Sequence, residues 1–185
     1  MTTPPRPPGG HPPDAGNPGV LFLTKPIFDA IREHGEESYP YECCGALLGQ
    51  PTPQGWRVTD SVRAGNTRTD SARNRYQIAP IELVRIQRSA RGKGLEIAGF
   101  YHSHPDHPAQ WSATDFAEAH WLGCSYVITS VANGKATVTN SFLLAGETEE
   151  DKKFEQETIL VEDSAADFEE EAALQESNSR RTKGK

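Results

Sequence analysis

Leu95-Glu96-Ile97-Ala98-Gly99-Phe100-Tyr101-His102-Ser103-His104-Pro105 is an apolar run that ends in a pair of histidines. The run reads as a strand, and residues two apart on a strand leave the same face, so His102 and His104 project together from its end. Ser112 and Asp115 follow after a proline-containing loop. A helix is expected from residue 113 to about 122, with Asp115 in its first turn, where the loop can fold the carboxylate back over the strand. Two imidazole nitrogens and one carboxylate oxygen leave the fourth position of a tetrahedral zinc site open, which suits a catalytic rather than a structural site. An H-x-H pair alone is weak, because strand ends often carry polar residues. Ser112-x-x-Asp115 is also the pattern of a capping box, with Ser112 as N-cap and Asp115 at N3. The two roles are compatible, since one carboxylate oxygen can accept a backbone N–H while the other meets a cation.

Working outward, residues 19–23 read as a short strand. A helix capped by Thr24 follows, with Pro26 in its first turn, and Ile27, Ala30, Ile31 and His34 fall on one face. Gly35 is expected to end it, and His34 reads as a satisfied core residue. Residues 43–49 and 56–62 suggest a hairpin, residues 63–74 an exposed loop and residues 76–78 a short strand. A second helix after Pro80 buries Leu83, Ile86 and Ala90. Residues 124–131 and 136–144 form a hairpin around Asn133-Gly134, a strong turn dipeptide. Residues 158–161 suggest a last edge strand. The fold class expected is α/β: a single domain with a curved mixed sheet flanked by helices. It occupies residues 19–161, between a disordered Pro/Gly-rich tail (1–18) and a charged, disordered tail (162–185).

Composition excludes several function classes. The net charge of −7 over 185 residues sits past Glu147, where 13 acidic residues face six basic ones, and the rest of the chain sums to zero. No basic patch invites nucleic acid. No apolar run approaches the ~20 residues that span a bilayer, and none resembles a secretory leader, so a cytoplasmic protein is expected. Cys43, Cys44 and Cys124, an odd count with two adjacent, describe reduced, partly buried thiols rather than a disulfide framework.

Water at the open zinc position needs a partner to take its proton and later to deliver it to a leaving amine. Glu42 is well placed for this if the strand over 43–49 neighbours the strand over 95–104. Other histidine chemistries lack their motifs: there is no H-E-x-x-H, no G-x-S-x-G and no P-C-x-x-C. Binuclear sites that open with H-x-H need further histidines, and only His107 and His120 follow. His107 reads as a solvated loop residue, His120 as a surface or packing residue, and Asp106 as a turn former.

His102-Ser103-His104-Pro105, six residues, then Ser112-Ala113-Thr114-Asp115 resembles the JAMM motif of the MPN-domain metallopeptidases. With Glu42-Cys43-Cys44-Gly45-Ala46-Leu47-Leu48-Gly49 upstream, the chain is most similar to the small prokaryotic members. The resemblance implies His102, His104 and Asp115 as ligands of one zinc ion per chain and Glu42 as the general acid/base. It implies Ser112 as the donor that stabilises the oxyanion. It further implies an MPN-like fold and hydrolysis of the peptide or isopeptide bond after the C-terminal Gly-Gly of a ubiquitin-like protein, of the sulfur-carrier type. Two alternatives stand beside it: a non-catalytic MPN scaffold that binds partners without metal, and a zinc amidohydrolase acting on small peptides.

Overall fold

The computed structural model describes residues 19–66 and 76–163. The expectations for the tail over 1–18, for most of the loop over 63–74 and for the charged tail beyond Asp163 lie outside the described residues. The chain order is β1 (Val20–Thr24), α1 (Lys25–Ser38), β2 (Cys44–Thr52), β3 (Gly55–Ala64), α2 (Pro80–Gly92), β4 (Glu96–Pro105), α3 (Ala113–Glu118), β5 (Ser125–Ala132), β6 (Lys135–Ala145) and β7 (Lys153–Glu162).

The last strand decides the architecture. It runs antiparallel to β6, with Ser141 opposite Glu157, and parallel to β1, with Val20 opposite Thr158. Every strand is thereby paired on both sides, and the sheet closes as a barrel in the order β1-β3-β2-β4-β5-β6-β7. The expected α/β arrangement, a curved mixed sheet flanked by helices with residues 158–161 on an edge, is therefore corrected: the described residues form a closed, seven-stranded mixed β-barrel with three helices. The reason lies in the inward face of β7. Its buried position is Glu157, whose carboxylate accepts from the Ser141 hydroxyl at 2.6 Å. An acidic residue at a core position hides the period-2 signal of a strand. Closure leaves no open edge for another chain to pair with.

The first helix, α1, packs across β1, β3, β4, β5, β6 and β7 and buries Ile27, Ile31 and Gly35. It passes through Gly35 to Ser38 rather than ending there. A Cβ at Gly35 would sit 3.0 Å from Val131 Cγ2 and 3.3 Å from Ser103 Cβ, so this glycine serves close helix–sheet approach instead of termination. Thr24 occupies the N-cap position but makes no side-chain cap bond. Inside, Leu21, Leu23, Leu47, Val58 and Val127 meet α1, while outside, Ile86 and Ala90 of α2 cover Leu48, Phe100 and Tyr126. Residues 76–79 are irregular rather than a strand, though Ile78 is buried. The helix expected to reach residue 122 stops at Glu118, because Ala119 turns inward and is buried.

The β5–β6 hairpin turns on Asn133 and Gly134, both at positive φ as a tight hairpin turn requires. All three cysteines are buried and unpaired. Among the described residues no helix is long and apolar enough to cross a membrane.

Candidate metal centre

The adjacency needed for Glu42 is present. The β2 and β4 strands run antiparallel with Cys44 opposite His102, which brings residue 42 to the level of His104. The junction is pinned twice, by Cys43 N–H donating to Ser103 Oγ at 2.9 Å and by Ser103 N–H donating to the Cys43 carbonyl at 3.2 Å.

His102, His104 and Asp115 converge on one point. The two Nε2 atoms are 3.1 Å apart. Asp115 Oδ1 is 3.5 Å from His102 Nε2, and Oδ2 is 3.5 Å from His104 Nε2. The loop between them returns to β4 because His104 Nδ1–H donates to the Pro108 carbonyl at 2.9 Å. A carbonyl can only accept, so the proton of neutral His104 lies on Nδ1 and the Nε2 lone pair faces the other two groups. The first turn of α3 is a complete capping box. Ser112 Oγ accepts from Asp115 N–H at 3.1 Å, and Asp115 Oδ2 accepts from Ser112 N–H at 2.6 Å. Asp115 thus caps the helix with one oxygen while its carboxylate stands against both histidines.

Burial shapes the electrostatics. It pushes His102 down to about 3, against the pull of Asp115, so this imidazole is neutral. Burial also works against a charged His104. Hydrogen bonds to Asp115 and to the Pro108 carbonyl, with the charges of Asp115 and Glu42, outweigh it and raise the value. Asp115 is held well below the carboxylate range despite burial, by His104, His102 and the Ser112 N–H. Glu42 goes the other way, pushed up to about 8 by burial, with His104 opposing. Its Oε2 is buried with no hydrogen-bond partner among the described residues.

The donor set fits a zinc ion. Bonds of about 2.0–2.1 Å to a tetrahedral centre put neighbouring ligand atoms about 3.3–3.4 Å apart, close to the three separations seen. His102 Nε2 lies 3.1 Å from the Nε2 lone pair of His104, with a carboxylate beside both, and a divalent cation among the three can take all of them as ligands. On the open side lies a cleft of about 360 Å³ walled by Glu42, His104, Pro108, Trp111 and Ser112 among others. Glu42, His104 and Ser112 therefore face one space.

Among the described residues, the other three histidines stand apart from the cluster. His107 is exposed at the cleft wall, His120 pairs with Glu149 at 2.8 Å, and half-buried His34 bonds Tyr101 Oη at 2.9 Å. Two contributors were not legible in the sequence: the Pro108 carbonyl, a backbone atom, and Tyr76, whose ring stacks on His102 at 4.5 Å.

Residues 24–145, which contain every residue of this centre, match the family model described as prokaryotic homologs of the JAB domain. The chain belongs to that family. Two curated relatives of this prokaryotic JAB-domain protein are the desampylase of Haloferax volcanii and a probable TtuB-protein conjugate cleaving protease of Thermus thermophilus. The first is 35% identical over 114 residues, covering 60% of this chain and 80% of the relative. The second is 28% identical over 102 residues, covering 55% and 65%. Solution structures of a Desulfitobacterium hafniense protein and a Salinibacter ruber protein share the fold. The first has a TM-score of 0.66 at 27% identity, covering 78% of this chain and 94% of that one. The second has a TM-score of 0.59 at 38% identity, covering 80% and 93%.

Proposed function

We propose that this prokaryotic JAB-domain protein is a zinc-dependent isopeptidase. Its substrate is the amide bond after the C-terminal Gly-Gly of a ubiquitin-like protein of the sulfur-carrier type, with one zinc per chain. The observation that carries the reading is the convergence of His102, His104 and Asp115 beside a cleft that also holds Glu42 and Ser112. One relative is named for cleaving TtuB-protein conjugates and the other is named a desampylase, which supports a protein conjugate over a small peptide.

Zinc held by these three residues would supply Lewis acidity, polarising a carbonyl and lowering the pKa of water. Everything else is done by the chain. Glu42, buried and with no hydrogen-bond partner on Oε2 among the described residues, accepts the proton of a water in the cleft and passes it to the leaving amine. A cation nearby opposes the burial that raises Glu42, so the same group can hold and release a proton near neutral pH. Ser112 Oγ uses a lone pair to cap α3, which leaves its O–H to donate to the oxyanion of the attacked carbonyl. Asp115 and the Pro108 carbonyl orient the ligand set, and the wall at Trp111 and Pro108 bounds the space open to the substrate tail.

The test is elemental analysis joined to a cleavage assay. Wild type should carry about one zinc per chain, lost in His104→Ala, and should cut a fusion of a Gly-Gly-tailed ubiquitin-like domain to a reporter after the second glycine. An intact fusion with zinc present would remove the substrate assignment, and absence of zinc after reconstitution would remove the metal assignment.

A further inference from the structure

The segment from Asp106 to Gln110 is held by β5 and β6 through side chains that the proposed chemistry does not use. Ser130 Oγ–H donates to the His107 carbonyl at 2.7 Å, and Asn140 Nδ2–H donates to the Ala109 carbonyl at 2.8 Å. These two carbonyls flank that of Pro108, the acceptor of His104 Nδ1–H. Ala109 is buried with Ile128 and Phe142, so the loop is plugged as well as tied. At its start, Asp106 has φ 55°, accepts from Asn133 N–H and Tyr39 Oη–H, and donates its own N–H to the Val131 carbonyl.

The register explains why Ser130 can reach. It lies directly beside His104 in the parallel β4–β5 pair. Between Thr129 and Val131 the β5–β6 register shifts, so a bulge falls at Ser130. Bulges near functional sites turn a side chain out of the regular ladder direction. Here the buried hydroxyl is aimed at the loop backbone.

We propose that Ser130 and Asn140 are positioning residues for His104. By clamping the peptide groups on either side of Pro108, they aim its carbonyl at Nδ1 and so fix both the ring orientation and the tautomer that presents the Nε2 lone pair to Asp115 and His102. The bonded partner of a ligating imidazole sets which nitrogen is free, and losing such a partner typically costs about 10–100-fold in metal affinity. The link to affinity rests on the metal reading above, whereas the link to the tautomer does not.

The experiment uses full-length, chelator-treated protein labelled with ¹⁵N, read by imidazole ¹H–¹⁵N correlation at about pH 9, above the ordinary histidine range. Wild-type His104 should show one tautomer, protonated on Nδ1. Ser130→Ala combined with Asn140→Asp, an isostere that keeps volume but cannot donate, should give averaged tautomers. It should also weaken zinc binding by about 10–100-fold in chelator competition, with backbone spectra preserved. Ser130→Thr, which keeps the hydroxyl, should restore the wild-type signature. If the double variant unfolds, Ser130→Ala alone carries the test, since it removes a single oxygen. A folded variant that keeps the Nδ1–H tautomer overturns the proposal. A changed tautomer with no zinc binding in wild type leaves the clamp standing and removes the metal reading instead.

Discussion

Asp115 does two things with one carboxylate, and separating them is the sharpest test of the centre. Oδ2 accepts from Ser112 N–H to close the capping box, while both oxygens stand 3.5 Å from a histidine nitrogen. Losing a cap typically costs about 1 kcal/mol, within a range of roughly 0.5–2. For a folded body of roughly 140 residues, an unfolding entropy of about 0.3 kcal/mol/K converts this to about 3–4 °C in Tm. Ser112→Ala removes the acceptor for Asp115 N–H and should cost that much in the metal-free protein while leaving zinc affinity near wild type. Asp115→Asn keeps an oxygen that can accept from Ser112 N–H but loses the charge, worth about 0.3–1 kcal/mol at a helix N-terminus. It should therefore be no less stable than Ser112→Ala without metal. Its zinc affinity should nevertheless fall by more than the roughly 100-fold upper range for losing a group that only orients a ligand. The assay is calorimetry of both chelated variants beside zinc competition. An Asp115→Asn variant that holds zinc as tightly as wild type would reduce Asp115 to a capping residue and refute the three-ligand argument.

Three further outcomes are expected. Glu42→Gln keeps the shape but cannot cycle a proton, so turnover should fall by about 10²–10⁴-fold at unchanged zinc content; steady-state kinetics beside elemental analysis checks this. His34 is lowered from 6.5 to about 4, first by burial and then by Arg63. Its folded-state value lies below its unfolded one, so between those two pH values the unfolded chain binds more protons and stability falls with acidification. His34→Gln should flatten part of that slope in denaturant titrations, and an identical slope would discount the burial. Gly45→Ala would place a Cβ 2.3 Å from the Tyr101 ring and 2.4 Å from the Val62 carbonyl. The cost should reach the upper part of the overpacking range, about 3 kcal/mol, and a wild-type Tm would show that β2 has more room than this packing implies.

The centre was more legible in the sequence than the barrel that carries it, for a physical reason. His102 and His104 announce a shared face by their spacing, Ser112 and Asp115 announce a helix start, and both signals are local. The pairing of β2 with β4 was a condition on the role of Glu42 that local signals left open, and the register of Cys44 opposite His102 meets it. Closure is non-local. It depends on β7, where Glu157 fills an inward position and exposed Leu160 and Val161 blur the pattern. Gly35 misled for a related reason: glycine at a helix end and glycine at a close helix–sheet contact look alike until Val131 and Ser103 are known to lie opposite. The Pro108 carbonyl carries no side-chain signature at all. What aims it, a bulge at Ser130, exists only once β5 and β6 are paired.

The two carboxylates stand in environments that favour opposite protonation states. Asp115 sits where two imidazoles and the backbone N–H of Ser112 favour its charged form, and these outweigh its burial. Glu42 is buried more completely, and among the described residues no hydrogen bond reaches its Oε2, so burial dominates and it rises to about 8. Environments that push titratable groups apart mark their assignments: the depressed carboxylate stays ionised and suits a ligand, whereas the raised one suits a proton carrier. The strands make this division durable. Glu42 enters at the head of β2, while the histidines leave the end of β4, which is locked between β2 and β5. Any shift that moved Glu42 toward the cluster would have to break the pairs between Cys43 and Ser103 first. The separation of these two environments is thus a property of strand register, one that loop substitutions around the cleft leave in place.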